Sequence, residues 1–117
     1  MKRNTGLRHL SLKTRDLEKT EKFYTEVLGL EVAFRHPPKR LFLRWPKQDD
    51  LLDFVKSRGK VTTTQGLDHF GFSVSRAKLN QLKKQLKKNK VKIEGQRGDR
   101  SVYFRDNNGY SVEFYCD

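Results

Sequence analysis

The segment Gly6-Leu7-Arg8-His9-Leu10-Ser11-Leu12 returns later in the chain as Gly66-Leu67-Asp68-His69-Phe70-Gly71-Phe72, at an offset of 60 residues. The same offset carries Leu52-Asp53-Phe54 onto Val112-Glu113-Phe114, and Leu41-Phe42-Leu43 onto Ser101-Val102-Tyr103. A chain of 117 residues is thus one unit written twice. Two copies of so long a repeat do not make a solenoid. They predict two modules that pack on each other, because half the chain buries too little surface to be stable alone.

Within the second copy the residues alternate. Leu67, His69, Gly71 and Ser73 point to one side of an extended strand, and Asp68, Phe70, Phe72 and Val74 to the other. The aromatic side is built for a core. The histidine side has small neighbours and therefore room beside the imidazole.

The remaining elements follow from local signals. Leu7–Lys13 reads as a strand. Asp16 is placed to cap a helix on which Leu17, Thr20, Glu21, Phe23, Tyr24, Val27 and Leu28 recur at helical spacing to give an apolar face, and Gly29 stops it. Strands follow at Leu30–Phe34, Arg40–Trp45 and Leu51–Lys56, with His36-Pro37-Pro38 in the first turn between them. Met1–Thr5 reads as a loose tail, and Ser57–Gln65, with its threonine run, as the linker. The second module repeats the order. It has a strand at Leu67–Val74 and a helix at Arg76–Asn89 with Leu79, Leu82 and Leu86 on one face and lysines on the other. Strands at Val91–Gly95, Ser101–Arg105 and Tyr110–Cys116 complete it, the last two joined through Asn108-Gly109, a strong hairpin signal. The expected fold is α+β: a single domain over residues 1–117, with module one at about 6–56, a linker at 57–65 and module two at about 66–117.

Formal net charge is +12, which attracts anions and repels cations but does not choose a fold. The single cysteine, Cys116, excludes an internal disulfide and a four-cysteine zinc site, and fits a reducing, cytoplasmic setting. The N-terminus lacks the pattern of a secretory signal, and no stretch approaches the roughly 20 apolar residues of a membrane span.

Chemistry concentrates where the repeat matches. His9 and His69 occupy equivalent strands; Asp53 and Glu113 occupy equivalent final strands. A carboxylate in mid-strand among apolar residues is either solvent-facing or paired. If the modules are related by a pseudo-two-fold axis, two imidazoles and one or two carboxylates converge, a donor set suited to Mn, Fe, Ni or Zn.

These residues resemble the vicinal oxygen chelate superfamily, the group of glyoxalase I, fosfomycin-resistance transferases, extradiol dioxygenases and bleomycin-binding proteins. His9, Asp16 to Tyr24 and Val27-Leu28-Gly29-Leu30-Glu31-Val32 are similar to its first module. Gly66 to Phe72 is similar to the start of its second, and Phe104-Arg105-Asp106-Asn107-Asn108-Gly109-Tyr110-Ser111-Val112-Glu113 to its ending. The resemblance implies a βαβββ module used twice, its curled mixed sheet wrapping a cavity. It implies one divalent metal ion on His9, His69 and Glu113, with Asp53 at the fourth-ligand position of some members. It also implies a homodimer. Ser101 and Tyr103 fit substrate-contacting positions of the fosfomycin-resistance transferases. Arg35, Arg40 and Arg44 are candidates for the cavity mouth.

The function expected is a glyoxalase-like, metal-dependent lyase or transferase acting on a small, oxygen-rich anion. The alternative is a non-catalytic protein of the same fold that sequesters a small molecule. Bleomycin binders trap a cationic drug, which a chain this basic does not favour. The lysine-rich helix raises a third possibility, salt-dependent nucleic-acid binding. Its lysines lie opposite the leucine stripe, as on any solvated helix, and no nucleic-acid motif accompanies them.

Overall fold

The computed structural model describes residues 5–61 and 66–117. The chain divides into two compact units, Met1–Val61 and Thr62–Asp117. The part of the expected linker at 62–65 and the part of the expected tail at 1–4 lie outside the described residues.

The first unit runs β1 (His9–Thr14), α1 (Leu17–Lys22), a π-helical segment (Phe23–Leu28), β2 (Glu31–His36), β3 (Arg40–Arg44) and β4 (Leu51–Lys56). Its sheet has the order β1-β4-β3-β2. The crossover through the helix makes β1 parallel to β4, and the other pairs are antiparallel. Asp16 starts the helix by accepting a hydrogen bond from the Lys19 backbone N–H. Gly29 ends it at φ 95°, a left-handed conformation that suits glycine. Leu12, Leu41, Leu43, Leu52 and Phe54 of the sheet are buried, as are Tyr24 and Leu28 of the helical segment. The rings of Tyr24 and Phe54 stand 5.3 Å apart.

The second unit runs β5 (Phe70–Ser73), α2 (Arg76–Lys88), β6 (Ile93–Arg97), β7 (Ser101–Arg105) and β8 (Ser111–Tyr115). Its sheet has the order β5-β8-β7-β6, with β5 parallel to β8. Ser75 caps α2 by accepting from the Lys78 N–H. Leu79, Leu82 and Leu86 are fully buried, together with Val102, Phe104, Val112 and Phe114 of the sheet. Asp106 organises the β7–β8 turn: one carboxylate oxygen accepts from the backbone N–H groups of Asn108 and Tyr110.

Both units are thus open four-stranded mixed sheets with one helical crossover, the βαβββ plan expected from the repeat. Four details differ. The first helix is not α-helical throughout but widens to a π-helix from Phe23. β5 starts at Phe70, so His69 stands just before it rather than within it. β6 extends to Arg97, through residues expected to form a loop. The third strands are slipped by one residue relative to the repeat: Leu41 pairs with Phe54 and Val102 pairs with Phe114, so Val102, not Ser101, is the counterpart of Leu41. Phe42, opposite Asp53, then corresponds to Tyr103, opposite Glu113. Among the described residues, no helix is long and apolar enough to cross a membrane.

Candidate metal centre

The register of the second sheet lines up Gly71, Glu113, Tyr103 and Gly95 in one row across four strands. Val112 and Phe114, on either side of Glu113, face the core, so strand alternation turns Glu113 to the opposite face. There it is 5% exposed. An unpaired carboxylate so placed costs several kcal/mol, and both oxygens of Glu113 are matched. Oε2 accepts from Nη2 of Arg97 at 3.0 Å. Oε1 lies 3.3 Å from Nε2 of His69. The imidazole is aligned from its other side, where Nδ1 is 2.6 Å from Oδ2 of Asp68, and the Tyr103 ring meets it edge-on at 5.3 Å.

The tautomer follows from these partners. A carboxylate cannot donate, so Nδ1 carries the hydrogen that Asp68 accepts. Nε2 then either carries a second proton or turns a lone pair toward Oε1. The separation of 3.3 Å is long for a charge-assisted hydrogen bond. It suits two ligands of one cation: bonds of about 2.1 Å to a transition metal, meeting near 100°, separate their donor atoms by about 3.2 Å. A carboxylate that aligns a histidine through its far nitrogen is also the usual support for a metal-bound imidazole. The pair therefore fits a divalent ion.

Gly71 supplies the space. A Cβ at this position would lie 3.3 Å from Cβ, the carbonyl oxygen and Oε1 of Glu113 alike. Arg97 supplies the charge. Its pKa is raised above the usual arginine value, chiefly by the hydrogen bond to Glu113, with the negative charge of that carboxylate adding to it.

The first unit treats its carboxylate differently. Asp53 is 1% exposed. Its Oδ2 accepts from Ser11 Oγ at 2.8 Å and lies 3.6 Å from Arg40 Nη1, while Oδ1 is buried with no hydrogen-bond partner. His9 opens β1 opposite Leu51 and is exposed. Among the described residues, no group of three or more His, Cys, Asp or Glu side chains is gathered to hold a metal. The structure brings together His69 and Glu113, with Tyr103 beside them. Ser101 is fully buried, and its hydroxyl accepts from the backbone N–H of Arg97. Of the mouth candidates, Arg35 pairs with Glu21 and Arg44 with Glu31.

Sequence reasoning set Gly71 beside His69 but not against Glu113, and it did not find Arg97 or Asp68 as parts of the site. Arg97 was hidden by ending β6 too early. A register shift between Ile93, which pairs with core-facing Phe104, and Gly95, which pairs with Tyr103, moves the rest of β6 to the other face, and alternation from Gly95 then puts Arg97 on the Glu113 face.

The two open mixed sheets with their helical crossovers define a glyoxalase-like domain. The chain belongs to the Glyoxalase/Bleomycin resistance protein/Dioxygenase superfamily, whose sequence model matches residues 6–114. No curated protein matches it in sequence. Among solved structures it is similar to an integron cassette protein from the mobile metagenome of the Halifax Harbour sewage outfall, at 28% identity and a TM-score of 0.80, covering 96% of this chain and 98% of that one. It is also similar to a glyoxalase/bleomycin resistance protein/dioxygenase domain from Frankia sp., at 26% identity and a TM-score of 0.80 over 96% of this chain and 91% of that one. The fold is shared with the fosfomycin resistance protein of Listeria monocytogenes, at 20% identity and a TM-score of 0.78 over 97% and 91% of the two chains.

Proposed function

We propose that the protein holds one divalent metal ion on His69 and Glu113, with His9 of the same or a second chain as third ligand. It acts as a glyoxalase-like lyase or transferase on a small, oxygen-rich anion. The observation that carries this reading is the approach of Nε2 of His69 to Oε1 of Glu113, with Arg97 and Asp68 holding the outer atoms of both side chains. When bound, a divalent ion supplies Lewis acidity to neighbouring substrate oxygens. The chain's own residues prepare the site. Asp68 orients the imidazole, Arg97 holds Oε2 so that Oε1 stays directed at His69, and Gly71 leaves Glu113 its space. Asp53 is engaged by Ser11 and Arg40, which favours three protein ligands with the remaining positions open.

A second reading, small-molecule sequestration without turnover, is favoured by one observation in the first unit. Phe34, 44% exposed, stacks on Phe42 at 4.2 Å, with His36 beside both. Phe42 sits directly across from Asp53 in the sheet. Such an aromatic surface suits a planar organic ligand whether or not a metal is present.

Elemental analysis after loading with Mn²⁺, Ni²⁺ or Zn²⁺ tests the first reading. About one metal per chain is expected in the wild type, and loss of most of it in His69→Ala and Glu113→Gln. A titration with no saturable binding in the wild type would overturn the metal assignment and leave sequestration. The dimer expected of the family is tested by sedimentation, as a particle of twice the 13.8 kDa chain mass.

A further inference from the structure

We propose that Arg97 is the substrate-anion receptor of this site, its guanidinium taking a phosphonate, phosphate or carboxylate group beside the His69–Glu113 pair. The inference rests on the metal reading above and adds to it the residue that selects the substrate's charge.

Among the arginines of the described residues, Arg97 is unusual in how it is held. Its backbone N–H is fixed by Ser101 at the end of β6, and its side chain reaches the buried oxygen of Glu113. Two anchors orient a planar group with five N–H donors. The side chain is nevertheless 69% exposed, so donors remain on its open side. A guanidinium locked in plane and open at one edge is set up for bidentate recognition of an oxyanion. The other ion-paired arginines differ: Arg8, Arg35, Arg44, Arg76 and Arg105 bond acids that are themselves at least one-third exposed. Arg40, which does face a buried carboxylate, is 3.6 Å from it.

Charge gives the site a second property. Without a metal, Arg97 balances Glu113, and Asp68 leaves the cluster slightly acidic. A divalent ion on His69 and Glu113 reverses that sign. Anion and metal therefore reinforce each other, and by linkage the effect is reciprocal: each tightens the other by the same factor.

The test uses methylphosphonate as probe, titrated calorimetrically into Mn²⁺-loaded and chelator-treated protein at low salt, with metal content measured in parallel. The variants are Arg97→Gln and Arg97→Lys. The expected result is tighter phosphonate binding in the loaded protein and, compared at equal metal occupancy, a loss of tenfold or more in Arg97→Gln and a smaller loss in Arg97→Lys. Wild-type affinity in Arg97→Gln overturns the proposal. So does loss of metal from Arg97→Gln with unchanged phosphonate affinity in the chelated proteins, which makes Arg97 a clamp on Glu113 alone. If the wild type takes up no metal, the metal reading falls, yet a tenfold difference between the chelated wild type and Arg97→Gln still establishes the anion receptor.

Discussion

Gly71 and Ser11 occupy the same place in their two sheets, each directly opposite the buried carboxylate of the last strand. They treat it in opposite ways. Ser11 donates to Asp53 and ties it down, whereas Gly71 stands back and leaves Glu113 to His69 and Arg97. Gly71→Ala puts a methyl group 3.3 Å from three Glu113 atoms, one of them backbone oxygen. Overpacking of this kind costs about 1–3 kcal/mol. The expected outcome is a protein that still folds cooperatively but retains metal at least tenfold more weakly, read by competition with a chromogenic chelator. Ser11→Ala should do the reverse. It removes a hydrogen bond to a buried charge and destabilises by about 1–3 kcal/mol in urea unfolding, while leaving metal content unchanged. The candidate ligands were legible in the sequence because histidine and carboxylate recur at matched places. Their supports were not. Glycine at position 71 looks like any strand glycine until the register sets Glu113 against it, and Arg97 looks like a loop cation until β6 is followed to its end.

At the scale of elements, alternation and helical spacing are strong signals because each element buries one face, and each strand and helix expected from them is present. What the period does not carry is the winding of the helix beyond Lys22. An apolar stripe spaced for an α-helix is tolerated by the wider π-helix over so short a stretch. Within this stretch the Thr25 hydroxyl donates to the Glu21 carbonyl at 2.8 Å, a side-chain bond of the kind that bends helices. The one-residue slip of the third strands was equally hidden, because Leu41-Phe42-Leu43 and Ser101-Val102-Tyr103 alternate acceptably in either register, and cross-strand pairing decides between them. The end of the π-helical segment carries a clean prediction. Gly29 has φ 95°, and a Cβ there would meet nothing within 4 Å, so Gly29→Ala tests backbone conformation alone. It should destabilise by about 1–2 kcal/mol, with Gly29→Asn milder, as read by thermal unfolding, and neither should alter metal uptake.

For the molecule as a whole, the charge of +12 is a sum that does not say where it resides. The amphipathic pattern of α2 does. With its leucines buried, Lys83, Lys84, Lys87 and Lys88 fall on the outer side, and an open groove of about 360 Å³ lies among Lys83, Lys84, Lys87, Val91 and Ile93. None of His69, Glu113 and Arg97 lines that groove. The lysine face and the candidate metal pair are therefore separable by mutation. Any binding of nucleic acid by the lysines is phosphate neutralisation without readout, and each lysine engaged contributes about one unit to the slope of log affinity against log salt. A short DNA duplex should accordingly lose more than tenfold in affinity between roughly 50 and 200 mM salt if several lysines take part. Lys83→Gln, Lys84→Gln and Lys87→Gln combined should flatten that slope while leaving metal content at the wild-type value. His69→Ala should leave the slope untouched while emptying the metal site. DNA binding that disappears with His69 would place the nucleic acid at the histidine site and remove the small-anion substrate from its position as the preferred ligand.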